Sequence, residues 1–132
     1  MNIMRTNEKV KTIDTTTIFT YEYQTSEKIN ILSLIDVLQK NGYTITDVGV
    51  LNKEDMYEKK LYSSYDLDSF AINYNNILDS EEYDGTELVV PVGEVLAHVT
   101  VKDNYIKVFS YDQPISLEDL LKKNEYSPLK RT

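Results

Sequence analysis

The sequence predicts an α+β domain: a mainly antiparallel sheet of about four to five strands, ending in a C-terminal β-hairpin, with three or four helices packed on it. Three observations carry this expectation. Glu94–Lys102 and Tyr105–Tyr111 are β-branched, alternating runs separated by Asp103-Asn104, a two-residue turn whose side chains tolerate positive φ. Glu27–Asn41 carries Ile31, Leu32, Leu34, Ile35, Val37 and Leu38, an apolar arc too wide for a helix that is wet on one side. The elements also follow the order β-α-β-(α)-α-β-β-β-α, that of an α+β domain with a mainly antiparallel sheet and helices on one side.

Taken in chain order, residues 1–12 are polar and read as a flexible tail. Thr15–Tyr23 is a strand by its β-branched and aromatic content, with Thr17, Phe19, Tyr21 and Tyr23 on one face. Ser26 is placed to cap the helix that follows, and Lys40-Asn41-Gly42 is placed to stop it, with glycine at the position that needs a left-handed backbone. Tyr43–Leu51 reads as a second strand, and the charged stretch from Asn52 to Tyr62 as a short helix or a loop. Asp66 then caps a helix with Leu67, Phe70, Ala71, Tyr74 and Leu78 in a single stripe, of which Leu67, Phe70 and Leu78 are expected to be core. Glu87–Val92 is a short strand whose Pro91 argues for an edge or a bulge. In the C-terminal hairpin, Val95, Ala97, Val99 and Val101 are expected to share a face with Ile106 and Val108, leaving His98 opposite Phe109. Ser116-Leu-Glu-Asp119 is a capping box with Ile115 and Leu120 as its staple, opening a final helix, and 126–132 reads as a second flexible tail.

The 132 residues are expected to form a single domain with a substantial core. With no cysteine, disulfides, iron–sulfur clusters and thiolate zinc sites are excluded. A single histidine, His98, rules out a two-histidine metal site. Met1–Lys11 has no apolar run that would serve as a signal peptide, and no segment is apolar over the length of a membrane span. The expected location is therefore cytoplasmic, away from membranes.

Charge is distributed unevenly. Leu61–Val101 contains no Lys or Arg but holds eight acids (Asp66, Asp68, Asp79, Glu81, Glu82, Asp84, Glu87 and Glu94), enough to account for the whole net charge of -8. Tyr62, Tyr65, Tyr74 and Tyr83 lie in the same stretch, with Tyr57 just before it. Tyrosine combines a large contact area with a polar tip and a low ordering cost, and closely spaced carboxylates repel unless solvated or met by a basic partner. A solvated face of an acidic protein is the competing account of this pattern.

Catalytic signals are absent. His98 lacks a spaced nucleophile or orienting carboxylate and is expected to be a packed or half-exposed strand residue. Asp79-x-Glu81-x-x-Asp84-Gly85 misses the EF-hand pattern, because its fifth position is Tyr83 and its glycine comes seventh. Glu54-Asp55 and Glu81-Glu82 are adjacent acids in a chain where acids are common, and no glycine-rich phosphate loop occurs. No enzyme activity, cofactor or metal is expected.

The expected function is a small protein-binding inhibitor. Its acidic, tyrosine-rich face would occupy the nucleic-acid channel of a basic partner, a nuclease or other nucleic-acid-binding protein, as phage or mobile-element anti-defence proteins of the anti-CRISPR kind do. Tyr65, Tyr74 and Tyr83 are the expected anchors, Asp68, Asp79, Glu81, Glu82, Asp84 and Glu87 the charges, and Asn73 and Asn76 the polar contacts beside them. Direct binding of nucleic acid by this face is not expected, since phosphates are repelled. The alternatives are a toxin-neutralising immunity protein, which uses the same physics on a different partner, and a structural or regulatory homo-oligomeric module.

Overall fold

The computed structural model describes residues 3–52 and 60–112, together with Ile115 and Leu117. The elements are β1 (Ile3–Ile13), β2 (Thr16–Thr25), α1 (Ile31–Lys40), β3 (Asp47–Asn52), β4 (Lys60–Tyr65), α2 (Leu67–Ile72), α3 (Tyr74–Asp79), β5 (Tyr83–Val92), β6 (Val95–Lys102) and β7 (Tyr105–Tyr111). All strands join one sheet in the order β1-β2-β7-β6-β5-β3-β4. Every pairing is antiparallel.

Among the described residues the fold is thus a seven-stranded antiparallel sheet with three short helices, which overturns the expected four to five strands under a helical layer. Two strands make the difference. Residues read as the N-terminal tail form β1, folded onto β2 through Asp14-Thr15, with Asp14 at φ 56° and the register running from Ile13↔Thr16 to Ile3↔Thr25. Its Arg5, Glu8, Lys9 and Lys11 hide the strand from a hydrophobic reading but suit an edge strand, where charge discourages further pairing. Strand β4, Lys60–Tyr65, begins within the Asn52–Tyr62 stretch read as a short helix or a loop and pairs with Val48–Asn52 on the opposite edge of the sheet.

Helix α1 begins later than expected. Thr25 and Ile29 donate backbone hydrogen bonds to Asn104 and Asp103 of the β6–β7 turn, so this segment is committed to the sheet. The cap falls to Asn30, whose side chain accepts from Ser33 N at 3.1 Å, and not to Ser26. The expected stop is present: Gly42 sits at φ 87°, with Gly42 N donating to Gln39 O and Tyr43 N to Leu38 O, the paired bonds of a Schellman motif.

The helix expected after Asp66 is broken into α2 and α3 at Asn73, whose side chain donates back to Ser69 O at 2.9 Å and competes with helix continuation. The break turns Ala71 outward and Ile77 inward, while Phe70 is fully buried. Strand β3 starts only at Asp47. Strand β5 is interior to the sheet, between β6 and β3, and not an edge. Pro91 nonetheless lies beyond the last β3 partner of β5, the Asp47↔Val89 pair, where a missing N–H costs no ladder bond on that side.

One row of the core runs across five strands as Val48, Leu88, Val99, Val108 and Tyr21, all buried. Leu34, Ile35 and Leu38 of α1, Phe70 of α2 and Ile77 of α3 join the same cluster, as do Ile115 and Leu117. Ala97, Val99, Val101, Ile106 and Val108 share the buried face, and His98 faces Phe109, as the hairpin pattern requires. The capping box and final helix otherwise lie outside the described residues, as do Tyr57, Glu54, Asp55 and residues 126–132. None of the described helices is long and apolar enough to cross a membrane.

Candidate functional site

Where α2 and α3 meet the ends of β3, β4 and β5, the surface opens into a pocket of about 300 Å³. Val50, Leu51 and Ile77 give it apolar lining, and Asn52, Tyr65, Asn73, Asn76, Ser80, Glu82 and Tyr83 supply polar and aromatic groups. Local chemistry sets the walls. Asp66 caps α2 by accepting from Ser69 N at 2.7 Å, and this bond holds its carboxyl below the usual carboxylate range. Ser80 ends α3 and folds the chain toward β5, its carbonyl accepting from Tyr83 N at 3.1 Å and its hydroxyl from Glu82 N at 3.3 Å.

Asn52 closes β3 and is only 2% exposed. Its Nδ2 donates to Glu82 Oε2 at 3.3 Å, while its Oδ1 has no hydrogen-bond partner among the described residues. A carboxylate only accepts, so the amide must turn its NH2 toward Glu82 and leave its oxygen for another donor.

The expected contact residues separate into groups. Tyr65, Asn73, Asn76, Glu82 and Tyr83 come together at the pocket. Asp79 and Glu81, both exposed, flank Ser80 in the same turn, and Asp68 is exposed on α2. Tyr74 is turned into the fold: its hydroxyl accepts from Ile31 N at 3.0 Å, its ring meets Phe70 edge-on at 5.5 Å, and burial raises its pKa. Tyr83 is half-buried, with its hydroxyl 2.8 Å from Thr86 Oγ1. Burial pushes its phenol up to about 12 against the opposing pull of that hydrogen bond.

Two of the acids lie elsewhere. Asp84 is buried and ion-paired to Lys102. Glu87 points to the sheet face opposite the buried Leu88, where its carboxylate lies 3.2 Å from His98 Nδ1. The basic-free stretch is therefore not one surface; its exposed acids on α2 and in the α3–β5 turn are Asp66, Asp68, Asp79, Glu81 and Glu82.

Sequence reasoning missed Asn52, Ser80 and the apolar lining. The one available signal was a polar residue closing the apolar run Val48–Leu51, which gains meaning only once β5 is known to lie beside it. Chemically, the site is an acceptor-rich recess with aromatic walls. Among the described residues, no three His, Cys, Asp or Glu are placed to hold a metal ion. Compared with protein-family models, curated proteins and solved structures, the chain matches none.

Proposed function

We propose that this chain is a small cytoplasmic inhibitor that docks on a basic, nucleic-acid-handling protein through the acidic surface around the pocket, displacing the nucleic acid. The observation that carries this is the run Asp79-Ser80-Glu81-Glu82. It puts three exposed carboxylates beside a pocket walled by Tyr65 and Tyr83, with no ion pair to a described Lys or Arg. Such carboxylates repel one another when left in water, and a surface of Lys and Arg relieves the repulsion. Surfaces of that kind are what proteins use to neutralise phosphates. A phage or mobile-element protein directed against a host defence nuclease is the concrete form of this function.

The test has two stages. Affinity capture from a host lysate at low salt, repeated at high salt, identifies salt-sensitive basic partners by mass spectrometry. Fluorescence anisotropy then asks whether the chain displaces labelled DNA or RNA from the captured protein. Displacement that disappears when Asp79 and Glu81 are both changed to Lys supports the proposal. A captured partner that keeps its nucleic acid while bound, or the absence of any basic partner, rejects it.

A further inference from the structure

The pocket specifies its occupant more narrowly than the surrounding charge does. Two of its amides have their NH2 ends engaged: Asn52 Nδ2 donates to Glu82, and Asn73 Nδ2 donates to Ser69 O. Each keeps its second N–H and an oxygen that has no partner among the described residues. Glu82 adds a carboxylate, and among the described residues no Lys, Arg or His lines the cavity. The recess carries one negative charge and free amide oxygens, which favours an occupant that donates hydrogen bonds and bears positive charge.

The shape narrows it again. Tyr65 and Tyr83 provide ring surfaces, on which a flat cation stacks favourably. A lysine ammonium is a compact, strongly hydrated point charge that does not match such ring faces. A guanidinium is planar, bears five donors in a fixed fork and reaches two acceptors at once.

We propose that this pocket receives the guanidinium of an arginine side chain presented by the basic partner. This rests on the docking function proposed above and identifies the anchor within it. Glu82 pairs with the cation, the Asn52 and Asn73 oxygens take the remaining donors, and the exposed Asp79 and Glu81 beside the mouth attract the basic surface that carries the arginine. The Asn52 oxygen, unpartnered among the described residues, gains its donor only in the complex.

The probes are a short blocked peptide with one arginine, its lysine counterpart and free arginine, each titrated into the ¹⁵N-labelled chain and followed through the side-chain amide signals of Asn52, Asn73 and Asn76. The expected result is saturable shifts with the arginine peptide, binding at least about tenfold weaker for the lysine peptide, and loss of saturation in Glu82→Gln, an exposed substitution that leaves the fold intact. Equal responses to the arginine and lysine peptides, or shifts that never saturate, overturn the proposal. Free arginine binding tenfold tighter than the peptide also overturns it, because the pocket would then be a metabolite site. Failure here is separable from failure of the docking function. If Asp79→Lys with Glu81→Lys abolishes displacement of nucleic acid while Glu82→Gln and the peptides have no effect, docking stands without the arginine anchor. Peptide binding in a chain that displaces nothing removes the docking partner.

Discussion

Lys102, the first base after the 41-residue stretch that has none, pairs across β5 and β6 with the buried carboxylate of Asp84. One of the eight acids in that stretch is thereby used by the fold and withdrawn from the surface. Lys102→Met keeps much of the apolar stem and removes the charge-assisted hydrogen bond, so it should cost about 1–3 kcal/mol of stability. Urea unfolding measures this as a lower midpoint with an unchanged slope. Binding to a basic partner should not weaken, since the altered pair lies in the sheet and not in the exposed acidic turn.

Asp79 and Glu81 make the opposite prediction. Both are exposed at the end of α3, and neither forms an ion pair with a described base. Changing both to Lys should leave stability within about 0.5 kcal/mol of the parent chain, the usual range for surface positions. Partner affinity should fall sharply. For the parent chain the same affinity should drop steeply between about 0.1 and 0.5 M salt, as the screening length shortens from about 10 Å to a few ångströms. Anisotropy titrations across that salt range check both expectations, and a salt-independent affinity would show that docking is not electrostatic.

Tyr83 gives the chain an alkaline limit. Its phenol is raised from the ordinary value of 10.0 to about 12 in the fold, so between those values the unfolded chain loses the proton and the folded chain keeps it. The folded state then binds more protons than the unfolded one, and stability must fall as pH rises through that window. The contribution is complete below pH 10 and gone above about 12. Tyr83→Phe removes this ionisation, at the cost of the bond to Thr86, so denaturation midpoints measured from pH 9 upward should decline less steeply in the variant.

How much of this was legible follows from where each signal resides. The β6–β7 hairpin and the end of α1 were readable because Asp103-Asn104 and Gly42 encode their own backbone conformations. Strands β1 and β4 were not. The residues of β1 alternate charge with scattered Val and Ile, and its strand state comes from bonds supplied by β2. The break at Asn73 was hidden by a regular apolar stripe, because the competing hydrogen bond to Ser69 is a local polar event that hydrophobic spacing does not record. The candidate site was half legible for the same reason. Tyr65, Asn73, Asn76, Glu82 and Tyr83 stood out by type, but Asn52 matters only because β3 and β5 bring it beside Glu82.

Tyr74 separates a structural tyrosine from a docking one. Helix α1 begins with Ile31, whose N–H has no partner within the helix and is only 2% exposed as a residue. Asn30 serves the N–H of Ser33, and Ile31 N donates instead to the Tyr74 hydroxyl, from a helix far away in sequence. Tyr74→Phe keeps the ring against Phe70 and deletes only the acceptor, leaving a buried donor unsatisfied at a cost of about 1–3 kcal/mol. Unfolding should register that loss, and amide exchange at Ile31 should accelerate, while partner binding stays unchanged. An interface anchor would give the reverse, with stability kept and affinity lost, and that outcome would return Tyr74 to the docking surface together with Tyr65 and Tyr83.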